Sequence, residues 1–200
     1  MRWAAPLLLF MIGCGSLDLS EPDQFAKVAA PFNVGLSWFG NVALHEAGHT
    51  IAADLTGAHS ISVDLLPTRD PEGNSHLGLT TAHYYGTISD AEKLFFDLSG
   101  PATTLLTHII FGELNRSGLV PRHLQPTVGW LDFGSMASTY THSILGLARS
   151  EQTDLGKHDA WIAGAFLVVQ LTYDIVRIGF SDGGFEKYFK VMFGQDFYGE

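Results

Sequence analysis

Cysteine is almost absent. Cys14 is the only one in 200 residues, which excludes an internal disulfide framework and any metal site built from cysteines alone. Cations are scarce too: eleven Lys and Arg against twenty-one Asp and Glu leave a formal net charge of −10. No general cationic field gathers phosphate backbones, so nucleic acid is not an expected partner. No Gly-x-x-x-x-Gly-Lys loop occurs, so no nucleotide is expected either. Internal repeats and low-complexity tracts are missing. Charged residues make up only 16% and hydrophobic residues 46%, with mean hydropathy +0.15, which excludes intrinsic disorder and supplies a core for one domain. Histidine is plentiful, with nine residues that offer nitrogen ligands.

Arg2 precedes an uncharged, mainly apolar run from Trp3 to Gly13, which fits the core of a signal peptide better than a spanning helix. The run ends Met11-Ile12-Gly13-Cys14, which resembles the bacterial lipobox. That resemblance implies a signal peptide over 1–13, lipid on Cys14 and an exported, membrane-anchored lipoprotein of a bacterial cell envelope. Residues 14–30 then read as the lipidated cysteine and a flexible polar leader, and 31–200 as the domain. Three later stretches lack Asp, Glu, Lys and Arg: Leu98–Gly112, Phe133–Ala148 and Ala160–Tyr173. Each is shorter than a typical membrane span, and the first two carry His108 and His142, so buried core helices are expected.

The expected fold class is α+β, mostly helical, with a small two-stranded sheet. Apolar spacing predicts a first helix over Leu36–Leu55, stopped by Gly57. Ile61, Val63 and Leu65 alternate with polar neighbours, giving a strand that closes at Pro67. Residues 68–75 read as a turn and His76–Tyr85 as a second strand, paired as a hairpin. Ser89-Asp90-Ala91-Glu92 has capping-box form, predicting a helix from Asp90 to about Ser99 that Gly100-Pro101 breaks or kinks. Further helices are expected over 102–111, 128–148 and 154–178, with Ser150 or Thr153 as cap of the last, and a short aromatic helix over 185–193. Phe185, Tyr188, Phe189 and Phe193 are read there as core packing, and Lys187 and Lys190 as solvated.

His45-Glu46-Ala47-Gly48-His49 is a His-Glu-x-x-His sequence on the first helix. Positions i and i+4 share a face, so both imidazoles can reach one ion, with Glu46 beside them. Zinc favours nitrogen ligands in tetrahedral geometry and, in catalytic sites, keeps one position for water. Glu46 is then the general base that takes the proton of zinc-bound water as it attacks a carbonyl, and delivers it to the leaving amine.

Residues 44–53, Leu-His-Glu-Ala-Gly-His-Thr-Ile-Ala-Ala, resemble the zinc helix of the peptidase domain in membrane AAA zinc proteases. Site-2 proteases have a similar helix. Leu98-Ser99-Gly100-Pro101-Ala102 is similar to the small-residue turn those families place after their strands. The resemblance implies a zincin-like helical core and a zinc metallopeptidase acting on a peptide or protein substrate. It also implies an acidic third ligand opening a later helix, for which Thr153-Asp154-Leu155 is the matching segment. Site-2 proteases carry the acid in an Asp-Gly type motif, and Leu131-Asp132-Phe133-Gly134 is its imperfect counterpart here, so Asp132 stays open as the alternative. Expected metal ligands are therefore His45, His49 and Asp154.

Around that core, His83, Tyr84, Tyr85, Tyr140 and His142 are candidate oxyanion donors, and His158 and Asp159 candidate groups that orient a ligand. Glu92 and Asp97 read as capping and surface residues. The strand from Ser60 to Leu66 offers an edge to extended peptide. Two other readings stand beside the lipid-anchored peptidase: a non-catalytic lipoprotein that keeps the fold as a binding module, and a site-2-like intramembrane protease.

Overall fold

In the computed structural model the first helix, α1, runs Pro22–Leu55, starting fourteen residues before the expected Leu36. Proline at a helix start costs nothing, because its missing N–H would be unpaired there anyway. The model describes residues 22–70, 73, 75–148, 153–180 and 183–199. The second part of the expected leader, 22–30, is therefore helical, while the expected signal peptide and Cys14 lie outside the described residues. Gly57, at φ +81°, lets the Ala58 N–H turn back to Ala53 O at 2.9 Å, the stop read from the sequence.

The hairpin forms as expected. β1 (Ser60–Asp64) and β4 (Leu79–His83) pair antiparallel, with Ser60 opposite His83 and Asp64 opposite Leu79. Their connection folds on itself, pairing β2 (Thr68–Arg69) with β3 (Ser75–His76).

Helix α2 (Asp90–Arg116) opens with the capping box: the Ser89 N–H donates to Glu92 Oε2 at 2.7 Å, and the Glu92 N–H donates to Ser89 Oγ at 3.3 Å. Of the expected break or kink at Gly100-Pro101, the break does not occur: the helix continues through this pair, with Pro101 inside it. These small residues mark a close helix crossing. A Cβ on Gly48 of α1 would lie 2.5 Å from Ser99 O of α2, and one on Gly100 would collide with the Nε2 atoms of both His45 and His49. A 3-10 turn (Arg122–Leu124) leads into α3 (Gln125–Leu147). A second 3-10 turn, Asp154–Lys157, precedes α4 (Ala160–Asp174), a π-helical segment (Ile175–Gly179) and α5 (Gly184–Met192). Asp154 thus opens a short turn and not the long helix expected to start there. Helices α1, α2 and α3 pack on one another, and α4 packs against α3.

Many polar side chains are buried while many large apolar ones face outward. Among the described residues, buried polar side chains outnumber buried apolar ones. On α4, Gln170 is fully buried, whereas its neighbours Val168 and Val169 are 62% and 52% exposed. Leu106 and Ile110 on α2, Ile144 on α3, and Trp161, Val176 and Phe180 around α4 also face outward. The expected burial of the charge-free helices is not met: Asp90–Arg116 and Ala160–Gly179 are long and apolar enough to cross a membrane, and only 22% and 28% of their apolar windows are buried.

Polar side chains join the helices. The Ser37 hydroxyl donates to Trp130 O at 2.5 Å, Thr127 Oγ1 to Asn33 Oδ1 at 3.0 Å, and Gln170 Nε2 to Met136 O at 2.8 Å. The deepest cluster surrounds His108, whose Nδ1 lies 2.6 Å from Asp132 Oδ1 and Nε2 2.8 Å from Asp174 Oδ1. Arg177 Nη1 donates to both Asp132 oxygens, at 3.1 and 2.9 Å, and the Tyr140 hydroxyl donates to Asp174 Oδ2 at 2.9 Å. Beside it, with the Arg177 guanidinium 5.3 Å from the Tyr188 ring centroid, Ile178, Tyr188 and Met192 form an apolar cluster with Trp130, Phe133 and Met136. Tyr188 thus packs as expected, while Phe185, Phe189 and Phe193 are exposed.

The α1–α2 crossing yields a stability prediction. Gly48→Ala should lower stability by about 1–3 kcal/mol, the typical cost of an added methyl without room, because it meets a backbone carbonyl. A melting temperature equal to wild type in a thermal scan would refute the close crossing.

Candidate metal centre

Two helices and a turn assemble this site. His45 and His49 stand one turn apart near the C-terminal end of α1, and Asp154 comes from the 3-10 turn between α3 and α4. Asp154 Oδ2 lies 3.1 Å from His45 Nε2 and 3.3 Å from His49 Nε2, and the two Nε2 atoms are 3.2 Å apart.

Helix α2 fixes the far side of both rings. Thr104 Oγ1 gives its hydrogen to Gly100 O at 3.1 Å and so accepts from His45 Nδ1, also at 3.1 Å. His49 Nδ1 donates to Phe96 O at 2.8 Å, with Ser99 Oγ a second contact at 3.3 Å. An imidazole that donates through Nδ1 presents a bare lone pair at Nε2. Two nitrogen lone pairs and one carboxylate oxygen therefore face one another with no hydrogen between them. Their separations are close to the edge of a tetrahedron around an ion with bonds of 2.0–2.1 Å, about 3.3–3.4 Å. His45, His49 and Asp154 form a group that can hold a metal ion. Lys157 Nζ, 3.5 Å from Asp154 Oδ1, adds a positive neighbour.

Glu46, one residue beyond His45, is buried on the same wall. Thr80 of β4 donates its hydroxyl to Glu46 Oε2 at 2.7 Å. A Cβ on Gly78 would come within 2.9 Å of Glu46 Oε1, so this glycine keeps space beside the second oxygen. The site opens into a cavity of about 270 Å³, walled by α1, the 75–80 segment, α3 and the Asp154 turn. No residue of β1 lines it, so the edge expected at Ser60–Leu66 is not the one at the cleft; the 75–80 segment is.

The remaining expectations divide. Asp132 is held by His108 and Arg177 in the bundle interior, so it is not the alternative ligand, and the imperfect Asp-Gly resemblance misplaced it. Tyr140 is engaged with Asp174. Tyr84 hydrogen-bonds Thr56 Oγ1 at 2.8 Å, Tyr85 stacks on His59, and His83 ends β4; none of the three lines the cavity. His142 does line it, its ring centroid 4.7 Å from that of His45. His158 bonds Asp97 at 3.0 Å, which gives Asp97 more than a surface role, and Asp159 makes no side-chain cap bond at the start of α4. Thr80, Gly78 and Thr104 were not anticipated, and Ser99 was read only as part of the small-residue segment; their partners are distant in the chain, and no local spacing marks these contacts.

Comparisons with protein-family models, curated proteins and solved structures return no match to this chain.

Removing the acid tests the site. Asp154→Ala should lose bound metal after dialysis against a weak chelator, while Asp132→Ala should keep it but unfold more readily, by about 3–5 kcal/mol, because Arg177 loses a buried partner. The reverse pattern of metal content in elemental analysis would exchange the two assignments.

Proposed function

We propose that this chain is a zinc-dependent metallopeptidase whose helical bundle lies in a membrane. The observation that carries the hydrolytic reading is the convergence of two bare imidazole nitrogens and a carboxylate oxygen at tetrahedral spacing, with Glu46 buried beside them. Zinc, when bound, supplies Lewis acidity that polarises a carbonyl and acidifies water.

The chain's own residues supply the rest. His45, His49 and Asp154 hold the ion. Thr80 occupies Glu46 Oε2, which leaves Oε1 to accept a proton from attacking water and pass it to the leaving amine. The 75–80 segment runs along the cavity, and its backbone is suited to an extended peptide. The presence of Glu46 favours hydrolysis over a purely binding role, which would need only the ligands.

The reversed side-chain distribution favours the site-2-like reading over a water-soluble domain on a lipid tether. Lipid tails do not penalise exposed leucine and valine, whereas the polar groups of a spanning bundle must be satisfied inside it. Among the described residues, two helical stretches, Asp90–Arg116 and Ala160–Gly179, are long and apolar enough for a bilayer, while residues 28–45 of α1 carry no Asp, Glu, Lys or Arg and α3 carries only Asp132. Export and lipid on Cys14 remain part of the proposal as an additional attachment.

Two outcomes test this reading. Glu46→Gln should keep its zinc and lose about 10²–10⁴-fold in peptide hydrolysis, the usual share of a general base; undiminished cleavage would remove the mechanism. Cys14→Ser should stay in the membrane pellet after alkaline washing and require detergent for extraction; its release into the aqueous fraction would restore the tethered soluble domain.

A further inference from the structure

Besides the two ligand histidines, the cavity is lined by His76, which bonds Asp70 at 3.0 Å, and by His142, which no ligand role explains. His142 projects from α3, and its Nδ1 is buried without a hydrogen-bond partner. This sets it apart from His45 and His49, whose Nδ1 atoms are both engaged by α2. The nearest acidic atom is Asp154 Oδ2, at 4.0 Å, beyond hydrogen-bond range and beyond the 3.1–3.3 Å sides of the ligand triangle. The hydrogens of His45 and His49 are committed to α2 at Nδ1, but no partner fixes the tautomer of His142, so the nearby carboxylate favours N–H at its Nδ1. His142 therefore holds an unused donor next to the ligand cluster, separated from Asp154 by a gap. Its ring is kept in place by the tilted contact with His45, 32° between planes, and Ser138, Thr141 and Leu145 of the same helix line the cavity around it.

From this arrangement we infer that His142 is not a metal ligand and that its Nδ1–H donates a hydrogen bond to the oxygen of the peptide carbonyl under attack. The inference rests on the metal-dependent reading above and adds a residue that touches substrate. A preorganised donor beside a centre where negative charge develops strengthens its bond as that charge grows. The buried nitrogen, unpaired in the free protein, gains its partner only when an oxygen enters.

The test uses the full chain in detergent, loaded with Co²⁺ in place of zinc, with acetohydroxamate as the probe of the centre. Wild type should take up cobalt and change its visible spectrum as acetohydroxamate binds. His142→Ala should keep the same cobalt content and the same spectrum before the probe is added, yet bind acetohydroxamate about tenfold more weakly, the scale of a lost charge-assisted hydrogen bond. His142→Gln, which retains an N–H donor, should recover most of that loss, which a merely structural role would not produce. Loss of cobalt or an altered probe-free spectrum in His142→Ala would make His142 a ligand and overturn the inference. Unchanged probe affinity would overturn it by showing that the donor does not reach. A wild-type chain that takes up no cobalt would fail earlier, overturning the metal reading and this inference together, before any substitution at 142.

Discussion

Three electron-rich atoms, His45 Nε2, His49 Nε2 and Asp154 Oδ2, sit 3.1–3.3 Å apart with the ring protons turned away toward α2. Such an arrangement is repulsive without a positive charge at its middle, so much of the surrounding structure can be understood as holding it. Gly100 leaves the space into which both imidazoles project, and Gly48 lets α1 lie against the α2 backbone. Thr104 and Phe96 O set the tautomers, and the 3-10 turn delivers the acid, with the Thr153 side chain accepting from the Gly156 N–H to form its first bond. The glycines act through their lack of a side chain at a helix crossing, not through unusual backbone angles.

The bundle has a second organising constraint, the polarity of its interior. His108, Asp132, Asp174 and Arg177 come from α2, α3, α4 and the π-helical segment. When His108 is protonated, two positive and two negative groups face one another with short contacts. On the membrane reading proposed above, such a cluster ties elements together because each member has no better partner elsewhere. Aliphatic side chains on the outer faces then need no protein partner at all.

The sequence was most legible where the controlling interactions are local. The His-Glu-x-x-His spacing placed two imidazoles on one face of a helix, the Ser89–Glu92 box fixed the start of α2, Gly57 ended α1, and alternation in 60–65 found the hairpin. Asp154 was reached through resemblance, although the element it opens is a turn. Gly100-Pro101 reads locally as a break, but tertiary packing carries the helix through it, because only small residues permit the crossing. Charge-free runs read as core because period and composition do not say which side of a helix meets other protein; burial shows polar residues taking that side. Thr80, Gly78 and Thr104 act across separations such as the 34 residues between Thr80 and Glu46, where no spacing rule applies.

The bond from Thr80 to Glu46 joins the small sheet to the carboxylate beside the ligand cluster. Side chains alternate along a strand, so sliding β4 by one residue against β1 would point Thr80 the opposite way and put Leu79 or Thr81 in its place. The aim of the carboxylate is thereby tied to the pairing of Val63 with Thr80. A ribbon of five residues per strand thus acts as a mechanical gauge for the carboxylate below it, and its alignment, as much as the ligands themselves, sets which way Glu46 points.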